Sequence, residues 1–131
     1  MKRAAAAALI LLAAAACGCA ETPERTIAVR MHYSKYQPGA LTVRAGQTIE
    51  FVIANADPIT HEFIIGTHAQ QVKHEAGDPH DPHTGPGEAS IDGSKTTRLR
   101  YTFDKPGTLE FACHRPGHYK YGMVGTITVE A

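Results

Sequence analysis

The chain has 131 residues, with 13 basic and 13 acidic side chains and a formal net charge of zero at neutral pH. No run of basic residues is present, which argues against a nucleic-acid partner. Of three cysteines, two fall within the first 19 residues, so Cys113 stands alone in the rest of the chain and a disulfide framework is excluded there.

Met1-Lys2-Arg3 is a short basic start, followed at 4–16 by an uncharged apolar run. That run is too short to span a bilayer and reads as the apolar core of a secretory signal peptide, residues 1–16. Ala14-Ala15-Ala16-Cys17 resembles a lipoprotein cleavage box, with Cys17 as the lipidated first residue. Ordinary cleavage around Gly18-Cys19-Ala20 is the alternative and would release a soluble protein. The expected location is the periplasm or the outer face of the cytoplasmic membrane, with a lipid anchor. Residues 17–26 then form a tether, and 27–131 one domain. Without the first 16 residues the remaining 115 carry 11 basic and 13 acidic groups, a net charge near −2.

Within the domain no stretch sustains a 3.6-residue apolar period, while short alternating runs recur between Gly, Pro, Asn and Asp. Strands are expected at 26–33, 40–44, 48–53 and 62–65, then at 96–103, 108–112 and 125–129. Leu99, Tyr101 and Phe103 share one side of their strand. Seven or eight short strands in about a hundred residues suggest an all-β, two-sheet sandwich with Greek-key connections. His32 lies in an exposed first-strand pattern and is expected to be solvated.

Residues 66–90 are polar, rich in Gly, Pro and His, and long for an ordered loop. They read as a variable insertion. A second metal ion held by His74, His80 and His83 is the sharper reading of this segment, and a solvated loop that happens to be His-rich is the plainer and preferred one.

The segment from Cys113 to Met123 carries the chemistry. A thiolate (Cys113), an imidazole (His118) and a thioether (Met123) follow one another at five-residue intervals, just before the last strand. Pro116-Gly117 turns the loop, and Gly122 is placed to bring the backbone close to a metal. The fourth donor must come from a neighbouring strand. His61 is the best candidate, at the head of a strand-like run after the turn at Asp57-Pro58. Two imidazoles, a thiolate and a weak axial thioether are the donor set of a type 1 copper electron-transfer site. A buried structural thiol, a loop histidine, a core methionine and a turn histidine are the plain alternatives for each residue alone. His114, next to Cys113, faces the other side of the strand and belongs on the sheet surface or behind the ligands.

The pattern resembles the cupredoxin (type 1 blue-copper) family over residues 27 to 131. Its Cys-x4-His-x4-Met interval is similar to that of rusticyanin, auracyanin and sulfocyanin. The resemblance implies one copper per chain, held by His61, Cys113, His118 and Met123. It also implies a monomeric carrier of one electron in the cell envelope, exchanging with a redox partner protein such as a cytochrome, an oxidase or another copper protein. One departure stands out. Many members have Asn or Ser after the first histidine, bracing the cysteine loop, and here that position is Glu62. No catalytic constellation competes, and a closed copper has no place for substrate. An open, enzymatic copper would require Met123 not to ligate and Glu62 to approach the metal. The alternative function is copper handling, by buffering, delivery or resistance, with the His-rich loop taking part.

Overall fold

The computed structural model describes residues 25–77 and 85–131. The proposed signal peptide, Cys17 and most of the tether lie outside the described residues, as do His80 and His83.

Alternation of apolar and polar residues builds the first sheet. In β1 (Arg25–His32) Ile27, Val29 and Met31 point inward, and in β4 (Thr48–Asn55) Ile49, Phe51 and Ile53 do the same. These two strands run parallel, with Ile27 opposite Phe51. The short β2 (Lys35–Gln37) pairs on the outer side of β1, and β7 (Thr96–Thr102) pairs antiparallel to β4, giving the order β2-β1-β4-β7. The second sheet takes β3 (Ala40–Arg44), β9 (Val124–Glu130), β8 (Gly107–Ala112), β5 (His61–Gly66) and β6 (Glu88–Ile91), in that order. Its inward residues close a core around Phe51, Phe63, Phe103 and Phe111, all at most 1% exposed. Burial of each such ring contributes about 2–3 kcal/mol. Phe111 folds across β9, where a Cβ on Gly125 would sit 2.1 Å from its ring. Only glycine fits there.

The two-sheet sandwich is as expected, with nine strands among the described residues rather than seven or eight. Domain structure begins earlier than residue 27. Arg25 already pairs with Ile49 in β1 and donates to the Thr42 carbonyl at 3.2 Å.

The segment 66–90, read as a loop, contains a helix and the start of a strand. Helix α1 (His68–Glu75) opens on a capping box in which Thr67 and Gln70 satisfy each other's backbone amides. It lacks an apolar stripe because it lies on the outer face of the second sheet through a polar side chain. Gln71, fully buried, donates to the Ile64 carbonyl at 2.8 Å and to the Glu110 carbonyl at 3.2 Å. With the core on one face and α1 over part of the other, every residue of β5 is buried. A continuous apolar run with a histidine and a glutamate at its head follows from this two-sided burial.

Candidate metal centre

At one end of the sandwich two segments meet. The β4–β5 connection carries Asp57 and leads into His61, the first residue of β5. The β8–β9 connection holds Cys113, His118 and Met123. Its ends are register partners, since Ala112 pairs with Val124.

The loop is wound by its own backbone. Cys113 N–H donates to Met123 O at 3.2 Å, and Met123 N–H donates to His118 O at 2.9 Å. Tyr121 N–H reaches Gly117 O and Gly122 N–H reaches Tyr119 O, both at 2.9 Å. The Lys35 ammonium, from β2, closes this turn by donating to the carbonyls of Tyr121 and Gly122 at 2.9 Å each. Gly122 has φ +87°, and a Cβ there would meet Lys35 Nζ at 3.0 Å. The glycine therefore serves a left-handed turn and its lysine cap. This is a more specific reason than the close approach to metal that the sequence suggested.

Three donors converge. His61 Nδ1 lies 3.2 Å from His118 Nδ1, and His118 Nδ1 lies 3.3 Å from Cys113 Sγ. Among the described residues, His61, Cys113 and His118 form the group of three metal-binding side chains with donor atoms within 4.8 Å of one another. Donors each about 2 Å from one ion stand about 3–3.5 Å apart at trigonal or tetrahedral angles, so the histidine spacing fits a shared metal. Met123 is 1% exposed and part of the same buried wall.

Burial differs between the ligand candidates and sets their protonation. His61 and Cys113 are inaccessible to solvent, while His118 is half-buried. Burial pushes the Cys113 thiol up to about 11, against the pull of amide hydrogen bonds from Arg115 and Glu62. A bound cation must therefore displace a proton from it. Burial and the neighbouring His61 lower the pKa of His118, which favours the neutral imidazole that can bind metal. The Glu62 amide, 3.3 Å from Sγ, is one of the donors that would stabilise a thiolate.

His61 carries a partner that the sequence did not suggest. Its Nε2 lies 2.8 Å from Asp57 Oδ2. The same oxygen accepts Ser34 N–H at 2.8 Å, and Oδ1 accepts Tyr33 N–H at 2.8 Å. Burial would raise the pKa of Asp57, yet these amides and His61 together hold it down to about 2. In the sequence Asp57-Pro58 reads only as a turn initiator. The signal available was the four-residue offset from His61, but the amides that fix the carboxylate lie 23 and 24 residues away.

The cysteine has a second, outward side. Glu62 is buried, and its carboxylate accepts His114 N–H at 2.9 Å, so it braces the cysteine loop as Asn or Ser would. His114 is buried rather than on the sheet surface, because α1 covers it. Its Nε2 contacts Gln71 Oε1 at 2.7 Å and its Nδ1 contacts Glu75 Oε2 at 2.9 Å. His74 stacks on His114 with centroids 5.5 Å apart and meets Glu88 Oε1 at 3.2 Å. Of the three histidines suggested for a second ion, His74 alone is described, and it belongs to this polar cluster. His32 is also not simply solvated. It is half-buried, with Nδ1 3.4 Å from Asp57 Oδ1. Tyr119 packs against His114 and donates its hydroxyl to Glu110 at 3.1 Å. Tyr121 (79% exposed), Ile59 (49%) and Tyr33 (81%) are the large side chains displayed at this end.

Comparison with known proteins bears on the donor set. The profile of copper-binding proteins of the plastocyanin/azurin family matches residues 25–130. The copper-resistant cuproprotein CopI of Rubrivivax gelatinosus is 37% identical over 119 residues, covering 86% of this chain and 70% of that protein. A plastocyanin from Prochlorothrix hollandica is 35% identical over 109 residues, covering 80% of this chain and 73% of that one. Among solved structures, reduced auracyanin from Roseiflexus castenholzii superimposes with a TM-score of 0.70 at 26% identity, covering 81% and 97% of the two chains. Auracyanin B gives 0.74 at 22% identity, covering 85% and 92%.

Proposed function

The chain belongs to the plastocyanin/azurin family of copper-binding proteins and takes copper as its cofactor, and from that premise we propose that it carries one electron in the cell envelope. The observation that carries this reading is the closed donor set: His61 and Cys113 sealed inside, Met123 in the wall, and only His118 reaching toward solvent. Copper bound there supplies a one-electron exchange between Cu(I) and Cu(II). The chain's own residues do the rest. The sandwich holds His61 and the loop ends before metal arrives, which limits rearrangement between the two oxidation states. Amide hydrogen bonds to Sγ would stabilise a thiolate, and Met123 would supply a weak thioether donor to a bound copper. Glu62 is engaged at the His114 amide, which supports a bracing role for its carboxylate.

In this reading His118 sits where a redox partner docks. Tyr121, Ile59 and Tyr33 supply apolar contact, and Arg115 and Lys120 steer an acidic partner. The protein acts as a monomer, exported and anchored through Cys17. The test is the visible and EPR spectrum of the Cu(II) protein, followed by its electron self-exchange rate. An intense thiolate-to-copper band, a small parallel hyperfine splitting and fast exchange are expected. A weak band with a large splitting would overturn the assignment.

A second reading has its own support. The CopI relative is described as a copper-resistance cuproprotein, which favours copper buffering or delivery. Rapid copper transfer to an acceptor, with slow electron exchange, would select it over electron transfer.

A further inference from the structure

The β1–β2 connection is strained. Tyr33 and Ser34 both have left-handed backbones, φ +51° and +52°, in a two-residue hairpin turn. Such turns normally use Asn-Gly or Asp-Gly, because residues with a bulky Cβ resist φ above zero. Tyr33 is also 81% exposed, and its ring lies against that of the adjacent His32, with centroids 3.8 Å apart. What holds the turn is Asp57, whose two oxygens accept the two consecutive amides at 2.8 Å each. Asn55 Oδ1 accepts the Asp57 N–H at 3.0 Å and fixes its backbone in turn. The carboxylate is thus clamped before it meets His61: Oδ2 points at His61 Nε2, while His32 Nδ1 lies 3.4 Å from Oδ1.

We propose that Asp57 is the positioning residue of the copper site: it fixes His61 with its proton on Nε2 and its lone pair on Nδ1, and its anionic charge biases the bound metal toward Cu(II). The geometry leaves little alternative for the proton. A carboxylate held by two amide donors can only accept, so the hydrogen in the 2.8 Å contact belongs to the imidazole. A neutral imidazole protonated at Nε2 has its lone pair at Nδ1, the atom that faces His118 and the cysteine. The buried anion makes that nitrogen a stronger donor. A stronger donor near a metal cycling between two charges stabilises the higher one more. Carboxylate partners of metal-bound histidines typically contribute about 10–100-fold in affinity. The strained turn is a part of this device, because it supplies the donors that aim the carboxylate.

This inference rests on the copper site and not on electron transfer, and its readouts involve no partner exchange. The first is the nitrogen-15 spectrum of the His61 ring in the metal-free wild-type protein, which needs no variant. A protonated Nε2 and an unprotonated Nδ1 are expected; the reverse assignment would overturn the proposal. The second is the ratio of Cu(II) to Cu(I) affinity in Asp57→Asn. About a tenfold fall is expected, a rise of about 59 mV in potential for a one-electron couple. A fall of less than threefold overturns the proposed effect of the charge. Since Asp57→Asn also removes support from the turn, the same change is made in a Tyr33→Asn/Ser34→Gly background, where the turn stands unaided. Loss of the affinity ratio in both backgrounds supports the direct action on His61. Loss only in the native-turn background would show that Asp57 acts through the turn and would overturn the proposal.

Discussion

His61 and His118 are the same residue type, aimed at the same point, yet the protein treats them oppositely. His61 begins a strand buried on both faces, has no solvent exposure, and is held from behind by a clamped carboxylate. His118 rides a loop, is half-buried, and keeps its place through backbone bonds to Arg115 and Met123. The contrast teaches that a metal centre can divide one chemistry between a fixed donor and an accessible one. The fixed donor defines the geometry. In the proposed function the accessible donor is where electrons would enter and leave, because its ring lies between the buried sulfur and the surface.

The strongest test removes what both histidines share. Cys113→Ser should abolish the intense charge-transfer colour altogether, whether or not copper still binds, and retained colour would break the comparison by showing that neither histidine faces a copper thiolate. Next, truncating each ring separates the two roles. His118→Gly opens a channel from solvent, so added imidazole should restore the charge-transfer band, while His61→Gly should stay unrestored at the same imidazole concentration. Equal rescue in both would show that the difference in burial has no functional weight.

A structural change of middling size probes the frame under both residues. Gly125→Ala forces a Cβ into the Phe111 ring and should cost about 1–3 kcal/mol, seen as a fall in the thermal midpoint of the metal-free domain. A neutral outcome would mean that β9 can shift without disturbing the loop it supports. The smallest expected effect concerns protons. The Cys113 thiol, raised by burial to about 11, is protonated at neutral pH. Copper uptake should then release one proton from it, and apparent affinity should rise about tenfold per pH unit until the pH nears that value. His118, with its lowered pKa, adds no second proton at neutral pH. Calorimetry in buffers of different ionisation enthalpy would read the number released.

The convergence of His61, Cys113 and His118 was legible in the sequence because these residues are concentrated in one loop and one turn, where residue type and spacing suffice. The sandwich was legible because its strands alternate. Asp57 was not, since its meaning depends on two amides that only the fold brings near it. Helix α1 was missed for a related reason: its contact with the sheet is Gln71, so it leaves no apolar stripe, although Thr67 and Gln70 do spell a capping signal. For His114 the sequence left two places open, the sheet surface or behind the ligands, and the unread helix is what decides for the buried one. In each case the pattern within a segment was readable, and what failed was knowing which other segment lies against it.

The pairing of Ala112 with Val124 gives the molecule a further property. Because the eleven residues between them begin and end at facing positions of one ladder, the segment is a cassette. Its length and contents can change while every strand keeps its register, and His61 with its carboxylate waits unchanged on the other side. A lineage could therefore retune or repurpose the centre by altering one short stretch of gene, within the limits set by the buried Cys113 and Met123 at its ends.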